Sequence, residues 1–148
     1  MDLQERLFEN MKSAMRAGDT QRRDLLRLAR AGVQREEKDK NRPLSEDEVV
    51  QVLFRQSRRH LESIEEFRLG GRVDLVEREE QELRILEEYL PTLLDRATVT
   101  EKARQVIVEV GASGPGDKGK VMGRLMAQLK GQADGAMVNE VVIEMLEA

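Results

Sequence analysis

The sequence predicts an all-α protein, with an N-terminal part of four helices in two long antiparallel hairpins and a C-terminal domain of three helices. Apolar residues recur at helical spacing along the chain, and no segment alternates apolar and polar residues as a strand does. Aromatic residues make up only 3% of a chain that is 36% charged, a composition that favours a helical protein with a charged surface. We expect the two parts to be residues 1–92 and 93–148.

The first four helices are predicted between residues that cap or end helices. Ser45 and Glu48 form a capping box, in which the serine oxygen accepts from the third helical amide and the glutamate reaches back. Asp19 or Thr20 caps the second helix, and Gly70-Gly71 ends the third. The predicted helices cover about residues 2–17, 20–39, 45–69 and 73–89. Their predicted buried faces are Leu3, Leu7, Met11 and Ala14; Leu25, Leu28, Ala29, Gly32 and Val33; Val49, Leu53, Leu61, Ile64 and Phe67; and Val76, Leu83, Leu86 and Leu90.

The last three helices are predicted after a linker over residues 90–98. The fifth covers about residues 99–110, and a glycine-rich connection with Pro115 leads into the sixth. Gly131 fits the left-handed position that ends the sixth helix, and Asp134 fits the N-cap of the seventh. Their predicted buried faces are Val99, Ala103, Val106, Ile107 and Val110; Val121, Met122, Leu125, Met126 and Leu129; and Val138, Val141, Val142, Met145 and Leu146.

Composition and motifs argue against several classes of protein. The chain has no cysteine, which excludes disulfides and thiolate metal sites, and no apolar run of about 18 residues that could span a membrane. The N-terminal residues lack the pattern of a secretory signal, so we expect a cytoplasmic protein. No nucleophile elbow, P-loop or dinucleotide fingerprint is present, and His60 is the one histidine. We therefore expect no catalytic residue, no metal site and no cofactor, with His60 an ordinary side chain.

Charge is distributed unevenly along a chain whose net charge is −4. The first hairpin carries an arginine stripe, a second cluster follows in the third helix, and residues 62–88 are strongly acidic. The arginines could bind phosphates or pair with the acidic fourth helix, and we favour the pairing. The acidic pairs, such as Glu79-Glu80, are expected to form a solvated face. The arginines are Arg16, Arg23, Arg27 and Arg30, then Arg55, Arg58 and Arg59.

The sixth helix is the one segment whose residues point to a function. Gly119 and Gly123 lie inside a predicted helix, where each glycine costs roughly 1 kcal/mol relative to alanine. Lys118, Lys120 and Arg124 flank them, so the glycines could admit the phosphate backbone of an RNA. Equally, Gly123 could let two helices of the protein pack closely. The residues alone leave both interpretations open.

Four segments together make the whole chain resemble the YqeY-like proteins. They are residues 7–15, residues 71–75, residues 82–91 and the region from Gly119 to Asn139. The last is also similar to the tail domain of the B subunit of tRNA-dependent amidotransferases. Here the chain departs from that tail at Gly135, where proline often stands, and at Gln132, where lysine is common.

The resemblance implies a helical bundle followed by a three-helix tail, and no catalytic residues, since the amidotransferase chemistry belongs to a body that this chain lacks. We expect a non-catalytic accessory module that binds tRNA or another RNA and works with the amidotransferase or another translation protein. The alternatives are a protein-interaction adaptor without an RNA role and, by family similarity only, a carbon–nitrogen ligase with glutamine as amido-N-donor. The predicted RNA-binding residues are Lys118, Gly119, Lys120, Gly123, Arg124, Lys130 and Gly131.

Overall fold

The computed structural model describes residues 1–129 and 131–147, and within them every regular element is a helix. This confirms the predicted all-α class. None of the described helices is long and apolar enough to cross a bilayer. The chain forms two compact units, Met1–Leu90 and Pro91–Ala148. The helices are α1 Leu3–Ala17, α2 Thr20–Lys40, α3 Glu46–Leu69, α4 Val73–Glu87, α5 Arg96–Val110, α6 Lys118–Leu129 and α7 Gly135–Glu147, with a 3₁₀ turn over Pro115–Asp117.

The N-terminal unit buries one apolar face of each of its helices. α1 packs along α2, and α3 packs along α4. All four predicted core residues of α1 are buried, because their spacing of three or four residues keeps them on one side of the helix. Burying a leucine or phenylalanine side chain contributes about 1.5–3 kcal/mol each, so this core dominates the unit's stability. Its fully buried members include Leu7, Leu26, Val33, Leu53, Phe54 and Leu86.

Polar caps fix where these helices start. The Ser45 hydroxyl accepts from the Glu48 amide at 3.2 Å, and a Glu48 oxygen accepts from the Ser45 amide at 3.0 Å, as the capping box predicts. Asp19 is the N-cap of α2, since its carboxylate accepts from the Arg22 amide. Asp2 and Glu5 form a further capping box at the start of α1. Each cap satisfies amides that no carbonyl inside the helix can reach.

Two leucines predicted to be buried in this unit are exposed instead. Leu28 of α2 is 68% exposed and Leu61 of α3 is 55% exposed, whereas Leu26, absent from the predicted face, is completely buried. The buried face of α2 is centred on Leu26 and Ala29, and Leu28 lies on the flank of that face. The spacing of apolar residues shows that a helix has a buried face but does not show where the centre of that face lies. In α2 the packing of the neighbouring helices determines the centre.

In the C-terminal unit, α5, α6 and α7 pack against one another. α6 contributes Val121, Leu125 and Leu129, which recur every four residues and are almost completely buried. Three of the predicted core positions in this unit, Met122, Met126 and Met145, are only partly buried against it, as is Met137. The remaining core consists mostly of valines: Val99, Ala103, Val106, Ala133, Val138, Val141, Val142 and Leu146.

The fifth helix starts three residues earlier than predicted. Asp95 is its N-cap, and the Asp95 carboxylate accepts from the Thr98 amide at 2.8 Å. Hydrogen bonds from the Thr98 side chain and from the Thr98 amide hold the pKa of Asp95 below its ordinary value. Aspartate is one of the residues preferred at an N-cap, but the predicted start was placed at Val99 because Val99 is the first apolar residue of the stripe.

Candidate nucleic-acid interface

α6 is held by one face and exposes the other. Val121 and Leu125 anchor the buried side. Each residue of an α-helix is rotated by about 100° from the one before it, and four exposed residues therefore form a ridge on the opposite side. We call it the α6 ridge, and its members are Lys120, Gly123, Arg124 and Ala127. Gly119 is exposed beside this ridge, and Lys118, at the first position of the helix, is half-buried.

The two glycines of α6 face open space. A Cβ atom added at Gly119 or Gly123 would have no atom of the described residues within 4 Å. Close packing of two helices, which was one of the two explanations for Gly123, is therefore not what the structure shows among those residues. Neither glycine has the positive φ that would require it. Their cost to the helix, about 1 kcal/mol for a glycine in place of alanine, is thus not offset by any contact in the described chain.

The cations of the α6 ridge lie close to acidic side chains. Arg124 Nε is 3.1 Å from Glu109 Oε2 of α5, and both side chains are about half exposed. Asp117 accepts from the Ser113 amide at 3.0 Å, and this bond, together with the charge of Lys120, lowers the pKa of the Asp117 carboxyl. The surface is therefore of mixed charge, with cations on the ridge and acids at its edge.

The predicted residues at the end of α6 fall in a different setting. Gly131 is buried and has a φ of +75°, so it serves the turn after the helix rather than the exposed ridge. The next residue of this turn, Gln132, accepts a hydrogen bond at 2.9 Å through its carbonyl from the Leu94 amide. Asp134 then accepts from the Ala136 amide at the start of α7, as predicted for its N-cap. Lys130 lies outside the described residues.

Three arginines of the two predicted clusters have partners outside α4. Arg23 pairs with its neighbour Asp24, and Arg55 pairs with Glu36 of α2. The Arg30 guanidinium lies over the Phe8 ring of α1, 4.3 Å from its centre. Acidic or aromatic partners on the same hairpin or the adjacent helix are nearer to these side chains, and long flexible arginines take the nearest ones.

A cluster that sequence reasoning missed joins α3 to α4. His60 Nδ1 lies 2.7 Å from Glu79 Oε2 and 3.9 Å from Glu82 Oε2. Glu79 and Glu82 share a face of α4 by their spacing of three, which the sequence does show. Their meeting with His60 depends on how α3 and α4 pack, and no local pattern encodes that.

Known proteins resemble the chain along nearly its whole length. A sequence model of the family described as Yqey-like protein matches residues 4–146. Altered inheritance of mitochondria protein 41, mitochondrial, from Pyrenophora tritici-repentis (strain Pt-1C-BFP) is 29% identical over 147 residues, which span 97% of this chain and 80% of that protein. The protein of the same name from Lachancea thermotolerans (strain ATCC 56472 / CBS 6340 / NRRL Y-8284) is 32% identical over 112 residues, 74% of this chain and 60% of that protein. These names refer to mitochondria and specify no ligand.

Proposed function

The chain belongs to the Yqey-like family, and from that premise we propose that it is a non-catalytic accessory module that binds tRNA or another RNA. The α6 ridge would form the contact surface, with Lys118, Lys120 and Arg124 reaching phosphates. Gly119 and Gly123 would let the RNA backbone approach the helix. The proposed partners include an amidotransferase or another translation protein.

The open glycines are the observation that carries this proposal. A helix with two glycines that pack against nothing in the described part of the chain is less stable than the same helix with alanines. Selection for a surface without side chains explains that cost, because a bulky residue at position 123 would keep a ligand's backbone away from the flanking cations. An ordinary solvated helix face would give no reason to avoid alanine there.

The ion pair at Arg124 is compatible with phosphate binding. Exposed pairs such as Arg124 with Glu109 are worth about 0–1 kcal/mol, so exchanging the carboxylate for a phosphate costs little. A phosphate contact then gains from the release of counterions. The acids at the edge of the ridge oppose indiscriminate binding, in keeping with a net charge of −4. We therefore propose weak, salt-sensitive binding with a defined RNA orientation.

The proposed location is the cytoplasm, alongside the translation machinery. A chain without cysteine loses nothing in a reducing compartment. The relatives carry a mitochondrial designation in their names, so the equivalent place for those proteins is the mitochondrion. Imaging of the full-length protein in its own cells distinguishes the two locations.

The test is a titration of the purified chain with tRNA at several salt concentrations. The Lys120→Ala/Arg124→Ala variant should lose most of the binding seen for the unsubstituted protein. A matched control, Arg68→Ala/Arg72→Ala, removes the same charge from exposed ion pairs in the N-terminal unit and should bind normally. Equal losses in both variants would mean that total charge, and not the α6 ridge, governs binding. Absence of binding at low salt would refute the RNA proposal.

A second candidate, a protein-interaction adaptor, is favoured by the exposed leucines of the N-terminal unit. Leu28 and Leu61 occupy helical positions that their stripes would bury, yet more than half of each side chain is exposed. A partner protein could cover them, since large exposed apolar side chains are common at docking surfaces. Capture of a protein after nuclease treatment, lost on charge reversal at Arg23 and Arg27, supports this function. Retained capture in the charge-reversed chain excludes the proposed surface.

A further inference from the structure

The cluster that joins α3 to α4 has the composition of a metal-binding site. His60, Glu79 and Glu82 each offer one ligand atom, and these three atoms lie within 4.8 Å of one another. The side chains are only 17%, 21% and 19% exposed, so they are held in place by their surroundings rather than extended into solvent. A preformed arrangement lowers the cost of ordering three side chains around an ion.

The distances are already close to those that a metal ion requires. A first-row divalent metal holds nitrogen and oxygen ligands at about 2.0–2.2 Å, so two ligands lie about 3 Å apart at a right angle and about 4 Å apart when opposite. His60 Nδ1 is 2.7 Å from Glu79 Oε2 and 3.9 Å from Glu82 Oε2. Both separations fall near that range, and small rotations of the carboxylates would bring the three atoms around one ion.

The second oxygen of one carboxylate is held from outside the cluster. Arg78 Nε lies 3.3 Å from Glu82 Oε1, which leaves Oε2 directed toward His60. Outer hydrogen bonds of this kind commonly orient metal ligands. Glu79 and Glu82 lie one helical turn apart on α4, so the helix itself fixes their spacing.

The ligand set indicates which ions fit. One imidazole with two carboxylates suits Mn²⁺, Zn²⁺ or Fe²⁺, whereas Ca²⁺ and Mg²⁺ prefer oxygen ligands alone. Three protein ligands leave coordination positions open for water or another ligand.

The cluster opens into a cavity of about 350 Å³ that also carries positive charge. Arg35 of α2 and Arg59 of α3 line it, and no hydrogen bond or ion pair joins either of them to another residue in the described part of the chain. Two unpaired guanidinium groups repel a bare cation and attract an anion, so a cation that arrives with an anionic ligand suits this cavity better than a cation alone.

We propose that His60, Glu79 and Glu82 bind a divalent transition-metal ion whose open positions take an anionic ligand inside this cavity. The site is independent of the α6 ridge, because it lies in the N-terminal unit. It would hold α3 and α4 together when the metal is bound.

A titration of the full chain with Mn²⁺ tests the proposal. Binding is measured as the decrease in the electron paramagnetic resonance signal of free Mn²⁺. We expect saturable binding of one ion per chain, a higher melting temperature with Mn²⁺, and tighter binding with inorganic phosphate. His60→Gln and Glu79→Gln should each weaken binding about tenfold or more, since even residues that only support metal ligands contribute that much. Glu77→Gln, an exposed carboxylate on α4, is the matched control and should bind normally.

Three results would overturn the proposal. The first is the absence of Mn²⁺ binding by the unsubstituted chain. The second is equal binding by His60→Gln, Glu79→Gln and the Glu77→Gln control, which would assign the ion to scattered surface carboxylates. The third is a phosphate effect that persists in Arg35→Gln/Arg59→Gln, which would place the anion elsewhere. Circular dichroism of each variant without metal separates loss of the site from loss of the fold.

Discussion

Gly123 is predicted to lower the stability of α6 and to assist RNA binding, and a single substitution tests both effects. We predict that Gly123→Ala raises the melting temperature, because the position is inside α6, its φ is not positive and its added methyl meets no atom of the described chain. The gain should be roughly 0.5–1 kcal/mol in the free energy of unfolding. The same change should weaken RNA binding if a ligand backbone approaches there. Thermal unfolding and tRNA titration of one variant measure both effects.

Gly111 supplies the control, since it also faces open space but differs in backbone conformation. Its φ of +67° is a left-handed value that ends α5. Alanine there is strained by about 1–2 kcal/mol, so Gly111→Ala should lower the melting temperature while Gly123→Ala raises it. Equal shifts of the same sign would mean that the free space beside a glycine, rather than its backbone conformation, decides the outcome.

The sequence showed which residues of the α6 ridge are cationic and which are glycine, but not what stands opposite them. Whether Gly123 meets a helix or solvent depends on where α5 and α7 lie, and local spacing does not contain that information. His60 illustrates the same limit, because its partner Glu79 is 19 residues away and the two meet only through tertiary packing. Gly131 was assigned both a turn role and an RNA role, and its burial accords with the first.

Among the helices, the start of α3 offers a direct test of capping. Ser45→Ala removes the oxygen that accepts from the Glu48 amide. We expect a loss of about 1 kcal/mol in the free energy of unfolding, the usual contribution of a serine N-cap. Urea unfolding followed by circular dichroism measures it. Ser45→Asp is the matched control, because aspartate caps as well as serine, and an equal loss in both variants would contradict a capping role.

The glutamate of the same capping box predicts a pH dependence. Hydrogen bonds from Arg42, from Lys40 and from the Ser45 amide hold the pKa of Glu48 far below its ordinary value. Its contribution to stability is therefore complete above the pKa of an unfolded glutamate, about 4.3, and is lost as the pH falls toward the folded value.

Glu48→Gln should consequently melt at a lower temperature than the unsubstituted chain at neutral pH. The difference should narrow steadily once the pH falls below about 4, because the unfolded chain then binds a proton at Glu48 that the folded chain does not. Melting curves between neutral and acidic pH measure this narrowing. A difference that stays constant with pH would show that the charge of Glu48 does not stabilise α3.

Helix identity was largely predictable because the information is local. Capping boxes, glycines at C-termini and apolar spacing all lie within a few residues of the boundary that they set, and Ser45 and Asp134 were assigned correctly from them. The start of α5 was misplaced because Asp95 precedes the apolar stripe. Burial was less predictable, as the exposed Leu28 shows. Several neighbouring helices together determine which face of a helix is buried, and the helix's own sequence defines that face only approximately.

For the molecule as a whole, a net charge of −4 limits how RNA can be bound. An acidic protein gains no general attraction to a polyanion, so binding must come from a local set of cations. The described α6 helix offers three: Lys118, Lys120 and Arg124. The number of phosphate contacts is therefore small and countable.

That count predicts how steeply RNA binding depends on salt. Each phosphate contact lowers log K by about 0.7–0.9 per unit of log salt, so three contacts give a slope of about 2–3. Lys120→Ala should reduce the slope by about one contact, whereas Lys12→Ala, which removes a cation from the N-terminal unit, should leave it unchanged. A much steeper slope, or the same slope in both variants, would mean that cations outside α6 contact the RNA. The slope reports the total number of phosphates that the protein neutralises, wherever the cations lie.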